Sequence, residues 1–291
     1  MMFRSVPVLL LLTACVAEGD FAPTTDEATE NLVYGTDDRV EFYQAPAVAQ
    51  DVAGSVVALM DRSWLTQRAN GSYDIDDSYE LRDDLPVCQS EPFRTQPIPG
   101  ECSGVLVGPN TIATAGHCMT GNACSRLRFV FNFRLESPGV VRTNVDEDDV
   151  YRCSRVISQR TGTTDYALVE LDRDVVGHDW LAVRSAGKVA NNASVVLMGH
   201  PYGMPLKIAA NATVRQNSSS IWFGSNLDSY TGNSGSPVIN TSTLQVEGIL
   251  VRGNNDFVYR NGCYESQVCN NGGCPGFEES TRATQFAAFI P

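Results

Sequence analysis

The sequence predicts an all-β barrel or sandwich, and three observations carry that prediction. Short apolar runs of strand length recur from about Val33 onward, punctuated by Gly, Pro, Asn and Asp. Helical periodicity is weak throughout, and regularly spaced strands without intervening helices argue for all-β architecture. Composition sets the scale: 291 residues at 43% hydrophobic and 19% charged are enough for one sizeable core or two small lobes.

Taken in order, residues 1–17 read as an export signal. Arg4 supplies one positive charge, and Val6 to Ala14 is apolar apart from Pro7 and Thr13, well short of the roughly 20 residues that a membrane span needs. Leu12-Thr13-Ala14-Cys15 resembles the bacterial lipoprotein box, in which Cys15 is lipidated and becomes the mature N-terminus. Ordinary cleavage after Ala17 is the alternative. Residues 18–32 hold five acidic and no basic side chains, too little apolar area to offset the entropy of ordering, and read as a tether or propeptide. No Gly/Ser or Pro linker divides the remainder, so residues 33–291 form one folded unit.

The expected strands follow: Val52–Leu59, Gly104–Val107, Leu127–Phe133, Tyr166–Leu171, Ser194–Met198 and Val246–Val251. In Leu127–Phe133 the period is two, with Leu127, Phe129, Phe131 and Phe133 on one face. The 21 basic and 34 acidic residues give a net charge of -13, which lacks the electrostatic footprint of a nucleic-acid binder or of a protein drawn to anionic lipid. A membrane connection is expected only through the N-terminal lipid. Removing Cys15 from the nine cysteines leaves an even number in an exported chain, where disulfides are the rule. A zinc site from Cys88, Cys263, Cys269 and Cys274 is the less favoured use of those side chains.

Three segments carry chemistry. Thr114-Ala115-Gly116-His117-Cys118 places an imidazole after a strand, Asp165 directly precedes the strand Tyr166–Leu171, and Gly232-Asn233-Ser234-Gly235-Ser236-Pro237 puts a hydroxyl in a glycine-rich turn. A serine is a poor nucleophile at neutral pH. It needs a base within hydrogen-bond reach, and the base needs an acceptor to fix its tautomer. His117, Asp165 and Ser234 supply the three parts, and the N–H groups of Gly232 and Ser234 are the expected holders of an oxyanion. His178 beside Asp179 and His200 before Pro201 read as structural. Ser185-Ala186-Gly187-Lys188 lacks the companion motifs of penicillin-recognising enzymes.

These boxes, in the order His, Asp, Ser, resemble the trypsin/chymotrypsin superfamily of serine endopeptidases from about Val33 to Thr284. Val33–Arg39, Asn226–Gly232 and Gly199–Pro205 are similar to the secreted bacterial branch that includes the glutamyl endopeptidases. The resemblance implies two six-stranded antiparallel β-barrels of the chymotrypsin type, the first at about 45–172 and the second at about 180–284. The active site would lie between them. It implies protein or peptide substrates, no cofactor or metal, a monomer, and a location in the bacterial cell envelope or outside the cell. It also implies a Cys102–Cys118 disulfide that closes the loop holding His117, worth about 3 kcal/mol in the chain-entropy model. Cys124 and Cys153 flank a strand and its successor and are paired with each other. Cys88 then joins Cys263, Cys269 or Cys274.

The family pattern leaves the substrate open. Asp228 occupies the place at which trypsin keeps its selecting aspartate, Leu250 stands where glutamyl endopeptidases have a histidine, and Arg252 either faces the pocket, where it reads an acidic side chain or neutralises Asp228, or is a solvated arginine. Asn233 replaces the aspartate that pairs with a new α-amino group in trypsin, so any activation works differently, with Val33 a candidate mature end. A catalytically silent or peptide-binding homologue of the same fold is the alternative function, since fold alone never establishes activity.

Overall fold

The computed structural model describes residues 34–253, 255–269 and 276–291. The export signal, Cys15, the acidic segment 18–32, Val33 and Cys274 lie outside the described residues. A short strand, β1 (Arg39–Glu41), is followed by α1 (Ala47–Ala53) and then by six strands that close a barrel. These are β2 (Val56–Asp61), β3 (Gly100–Gly108), β4 (Thr111–Thr114), β5 (Leu127–Phe131), β6 (Val150–Arg160) and β7 (Tyr166–Leu171). Around the barrel the order is β6-β7-β4-β3-β2-β5, with β5 returning to β6, and every pairing is antiparallel.

The second barrel uses β8 (Ser194–Gly199), β9 (Lys207–Gln216), β10 (Trp222–Ser225), β11 (Pro237–Asn240), β12 (Val246–Arg252) and β13 (Glu278–Arg282). Its order is β9-β8-β11-β12-β13-β10, and it closes because the far half of the long β9 pairs with β10 through Val214 and Gln216. The near half of β9 pairs with β1 through Ala209 and Lys207. Full closure removes the unpaired edges that an open sheet would expose. The expected pair of six-stranded barrels is therefore the architecture of the chain.

Two expected strands change at their ends. In Val52–Leu59, Val52 and Ala53 finish α1, buried from the helix, and the strand begins at Val56. In Leu127–Phe133 the chain leaves the strand at Asn132, whose φ is +61°. Leu127, Phe129 and Phe131 point into the main core, while Phe133 packs with Val130 in a separate cluster. A left-handed residue ends the alternation that a strict period of two extends past it.

One continuous apolar cluster runs through both barrels, joining Val57, Leu106 and Leu168 to Val196, Ile239 and Ile249. The two lobes are thereby held face to face, which is what a site divided between them requires. Disulfides join Cys102 to Cys118, Cys124 to Cys153, and Cys88 to Cys263. Cys269 is also disulfide-bonded. The Cys88–Cys263 bond excludes the four-cysteine zinc arrangement, because a sulfur committed to a disulfide is not a thiolate ligand. No helix among the described residues is long and apolar enough to cross a membrane.

Candidate active site

Antiparallel pairing of β4 with β7 brings His117 and Asp165 together. Thr114, the last residue of β4, lies opposite Ala167 near the start of β7. His117 is three residues beyond Thr114, on the 3-10 turn Gly116–Met119, and Asp165 is two residues before Ala167. The main-chain N–H of His117 donates to Asp165 Oδ1 at 3.0 Å, and His117 Nδ1 lies 2.7 Å from Asp165 Oδ2. The aspartate is 6% exposed and the imidazole 44% exposed, so the acceptor is buried while the base opens to the cleft.

Asp165 is fixed from the second barrel as well. Its N–H donates to Thr281 Oγ1 at 3.4 Å. The guanidinium of Arg252 donates to the carbonyls of Gly162 and Thr163 at 2.7 and 3.3 Å and to Glu279 Oε2 at 2.9 Å.

Ser234 lies in the turn that leads from β10 to β11, and that turn rests on β3 of the first barrel. Ser103 donates its N–H to the Ser234 carbonyl at 2.9 Å and its hydroxyl to the Gly232 carbonyl at 3.0 Å. The Cys118 sulfur lies 3.8 Å from the same Ser234 carbonyl, so the Cys102–Cys118 bridge abuts both halves of the site. Among the described residues, the Ser234 hydroxyl makes no hydrogen bond. Contacts between nucleophile and base are often loose before substrate binds and tighten afterwards.

The N–H groups around Ser234 divide in two. Those of Asn233, Gly235 and Ser236 donate to Tyr230, Leu250 and Asn233 carbonyls at 3.1, 2.7 and 2.8 Å. Those of Gly232 and Ser234 donate to no acceptor among the described residues. Gly232 has φ +85°, and a Cβ there would stand 2.8 Å from the His200 carbonyl and 2.7 Å from Gly203 N. Only glycine fits both the dihedral and the space. Asn233 is buried, with Oδ1 accepting the Ser236 hydroxyl at 3.1 Å. A neutral partner thus stands where a buried charge would need an ion pair.

A cavity of about 210 Å³ opens beside Ser234, lined in part by Leu250 and Arg252. Asp228 is not part of that lining. It is 4% exposed, and its carboxylate accepts the N–H groups of Tyr34 at 3.0 Å and Asp38 at 3.1 Å. This corrects the expected pocket: Asp228 secures the N-terminal segment, and Arg252 pairs with Glu279 instead of neutralising it. Sequence reasoning passed over two carboxylates that do line the cavity, Asp256 and Glu278. Neither sits in a recognisable motif, and Glu278 is placed by the pairing of β13 with β10, where it lies opposite Ser225.

The other histidines are structural. His178 stacks on Phe131 with ring centroids 4.2 Å apart and bridges the Gly54 carbonyl to Asp149. His200 is buried, and burial depresses its pKa to about 3. Cys102, His117 and Cys118 group closely enough for a metal, but both sulfurs belong to their disulfide.

Residues 102–249 match the family described as a trypsin-like peptidase domain. Among solved structures, a Glu endopeptidase in complex with MPD is similar at a TM-score of 0.51 and 17% identity, over 89% of this chain and 97% of that one. A serine endoprotease from Yersinia pestis is similar at a TM-score of 0.49 and 12% identity, over 82% of this chain and 62% of that one. No curated protein matches.

Proposed function

The chain belongs to the trypsin-like peptidase family and is a serine protease by that membership, and we propose that it is an exported endopeptidase working through an acyl-enzyme on Ser234. Ser234 Oγ attacks the scissile carbonyl carbon, and His117 takes the hydroxyl proton on Nε2. The positive charge this puts on the ring is stabilised by Asp165 across the Nδ1 bond. The carbonyl oxygen becomes an oxyanion held by the N–H groups of Gly232 and Ser234. Collapse of the intermediate breaks the C–N bond as His117 returns the proton to the leaving amine, and water then hydrolyses the ester by the same route.

The observation that carries this reading is the paired bond from Asp165 to His117, set beside two unused N–H groups that flank the serine. The first orients a base, and the second is a ready site for negative charge. Export is supported by the disulfides, which persist in oxidising compartments, together with the signal-like residues 1–17. The lipid on Cys15 and removal of residues 18–32 rest on sequence alone.

The test is labelling by a fluorophosphonate probe followed by peptide hydrolysis, with Ser234→Ala as control. Labelling and hydrolysis that both vanish in Ser234→Ala support the proposal. An unlabelled serine, with the N-terminal segment removed or retained, supports the silent homologue instead.

A further inference from the structure

A second cavity, of about 320 Å³, shares Thr231 with the first and reaches Gly232. Trp64, Tyr79 and Ile98 on its lining belong to the insertion 62–99 between β2 and β3. That insertion is fixed in place. Its strands Leu65–Gln67 and Tyr73–Ile75 pair with each other, Ile98 donates its N–H to the Tyr79 carbonyl at 3.1 Å, and Cys88 is bonded to Cys263. The cavity is therefore preformed, which spares a ligand the cost of ordering it.

Tyr202 completes the lining, and its backbone is unusual. It has φ +52° within the turn Pro201–Gly203, a left-handed conformation that is costly for a bulky residue and persists where the surroundings hold it. Three contacts do so. Its N–H donates to the Thr231 carbonyl at 2.5 Å, its phenol donates to Asp84 Oδ2 at 2.8 Å, and its ring meets Phe257 at a centroid distance of 5.8 Å. The Tyr79 phenol donates to the other Asp84 oxygen at 3.2 Å. Two rings on the lining are thus anchored by their hydroxyls to one carboxylate. The other carboxylate there, Glu101, accepts from Arg126 with both oxygens. With these acceptors engaged, the surface left for a ligand is mainly aromatic and aliphatic.

We propose that this cavity receives a bulky apolar side chain from one of the first two substrate residues beyond the scissile bond, with Tyr202 and Trp64 as its specificity-determining residues and Asp84 as the residue that positions Tyr202. The proposal rests on Ser234 being the nucleophile. The leaving amine takes its proton from His117, so that half of the substrate departs on the histidine side. The cavity wall at Gly100 and Glu101 runs directly into Cys102, which is bonded to Cys118, the residue after His117. A large apolar side chain gains by leaving water for this surface. Glycine gains nothing there, and an acidic side chain meets Asp84.

Two measurements on the full chain test this separately from the peptidase reading. In the first, peptides with randomised acyl halves carry Phe, Leu, Gly, Arg or Glu at each of the first two positions beyond the bond and are compared by kcat/KM. Phe and Leu are expected to exceed Gly by about 10- to 100-fold at one of the two. Tyr202→Gly tolerates the left-handed turn and removes the ring, so the Phe-to-Gly ratio should fall to about threefold or less. Asp84→Ala should lower the ratio part of the way, and Asp84→Asn, whose amide oxygen still accepts a phenol, should restore it.

In the second, Ser234→Ala is examined by saturation-transfer NMR with phenylalaninamide and glycinamide, which carry the same charge and resemble the released amine. Transfer to the phenylalaninamide ring that disappears on adding Tyr202→Gly supports the proposal even if no peptide is cleaved. Equal transfer to both amides overturns it. Preference for Arg, Glu or Gly at a labelled Ser234 also overturns it and leaves the peptidase reading standing, as does a Phe-to-Gly ratio unchanged in Tyr202→Gly.

Discussion

Asp165 holds His117 at two points, Oδ1 accepting the backbone N–H at 3.0 Å and Oδ2 facing ring Nδ1 at 2.7 Å. The first bond fixes the turn and the second fixes the ring. Together they demand the tautomer with its proton on Nδ1, which leaves Nε2 with a free lone pair to accept a proton.

Asp165→Asn separates these tasks. Its amide oxygen can still accept the backbone N–H, yet its NH2 group facing Nδ1 would favour the other tautomer. We expect kcat to fall on the order of 10³- to 10⁴-fold, with melting temperature nearly unchanged. Steady-state kinetics beside calorimetry decides the point, and retention of kcat within tenfold would remove Asp165 from its role.

Gly232→Ala tests the oxyanion site. The substitution forces a Cβ to within 2.8 Å of the His200 carbonyl at a φ of +85°, so the peptide must rotate or retreat. Its N–H then misses the developing charge, and kcat should drop by about 10²- to 10³-fold. Fluorophosphonate labelling should slow in parallel. Full activity in the alanine variant would mean that the oxyanion is held elsewhere.

The candidate triad was legible in sequence because each of its residues sits in a short segment with a distinctive local geometry. His117 follows a strand and a turn, and Gly232 has a dihedral that only its residue type tolerates well. The two barrels were legible from strand spacing and resemblance. Position misled at Asp228, because six residues before a serine does not say which way a side chain turns. The carboxylate bonds Tyr34 and Asp38 from a segment far away in sequence. Glu278 was hidden for the converse reason, being brought to the cavity by a strand pairing that no local pattern encodes.

The Cys88–Cys263 disulfide closes a loop with a sequence separation of 175, and it ties the insertion before β3 to the hairpin Phe257–Arg260/Cys263–Ser266. Glu91 adds two bonds to Ser266, at 2.8 Å to its N–H and 2.7 Å to its hydroxyl. Replacing both cysteines by serine should cost on the order of 2–5 kcal/mol, read as a lower midpoint in denaturant. Limited proteolysis should then cut within residues 62–99 first. A midpoint unchanged from the parent would show that Glu91 and its neighbours hold the insertion without the bridge.

Asp38 and Asp228 make the stability of the N-terminal segment depend on pH. Burial, with the neighbouring Asp228 charge next, pushes Asp38 up to about 9, and burial pushes Asp228 up to about 6. Asp37 adds repulsion, while Arg39 favours the ionised form of Asp228. Both carboxyls sit near 3.8 without these surroundings, so between about 4 and 9 the folded chain binds more protons than the unfolded one. Stability from the pair is complete below about 4 and is lost as pH rises toward 9. Asp38→Asn keeps a donor for Asp228 and cannot ionise. Its melting temperature should therefore exceed that of the parent by a margin that widens from pH 5 to pH 9, and amide exchange at residues 34–41 should slow at the alkaline end. A margin constant across that range would refute the shared-proton pair and leave Asp228 as an ordinary ionised acceptor of two N–H groups.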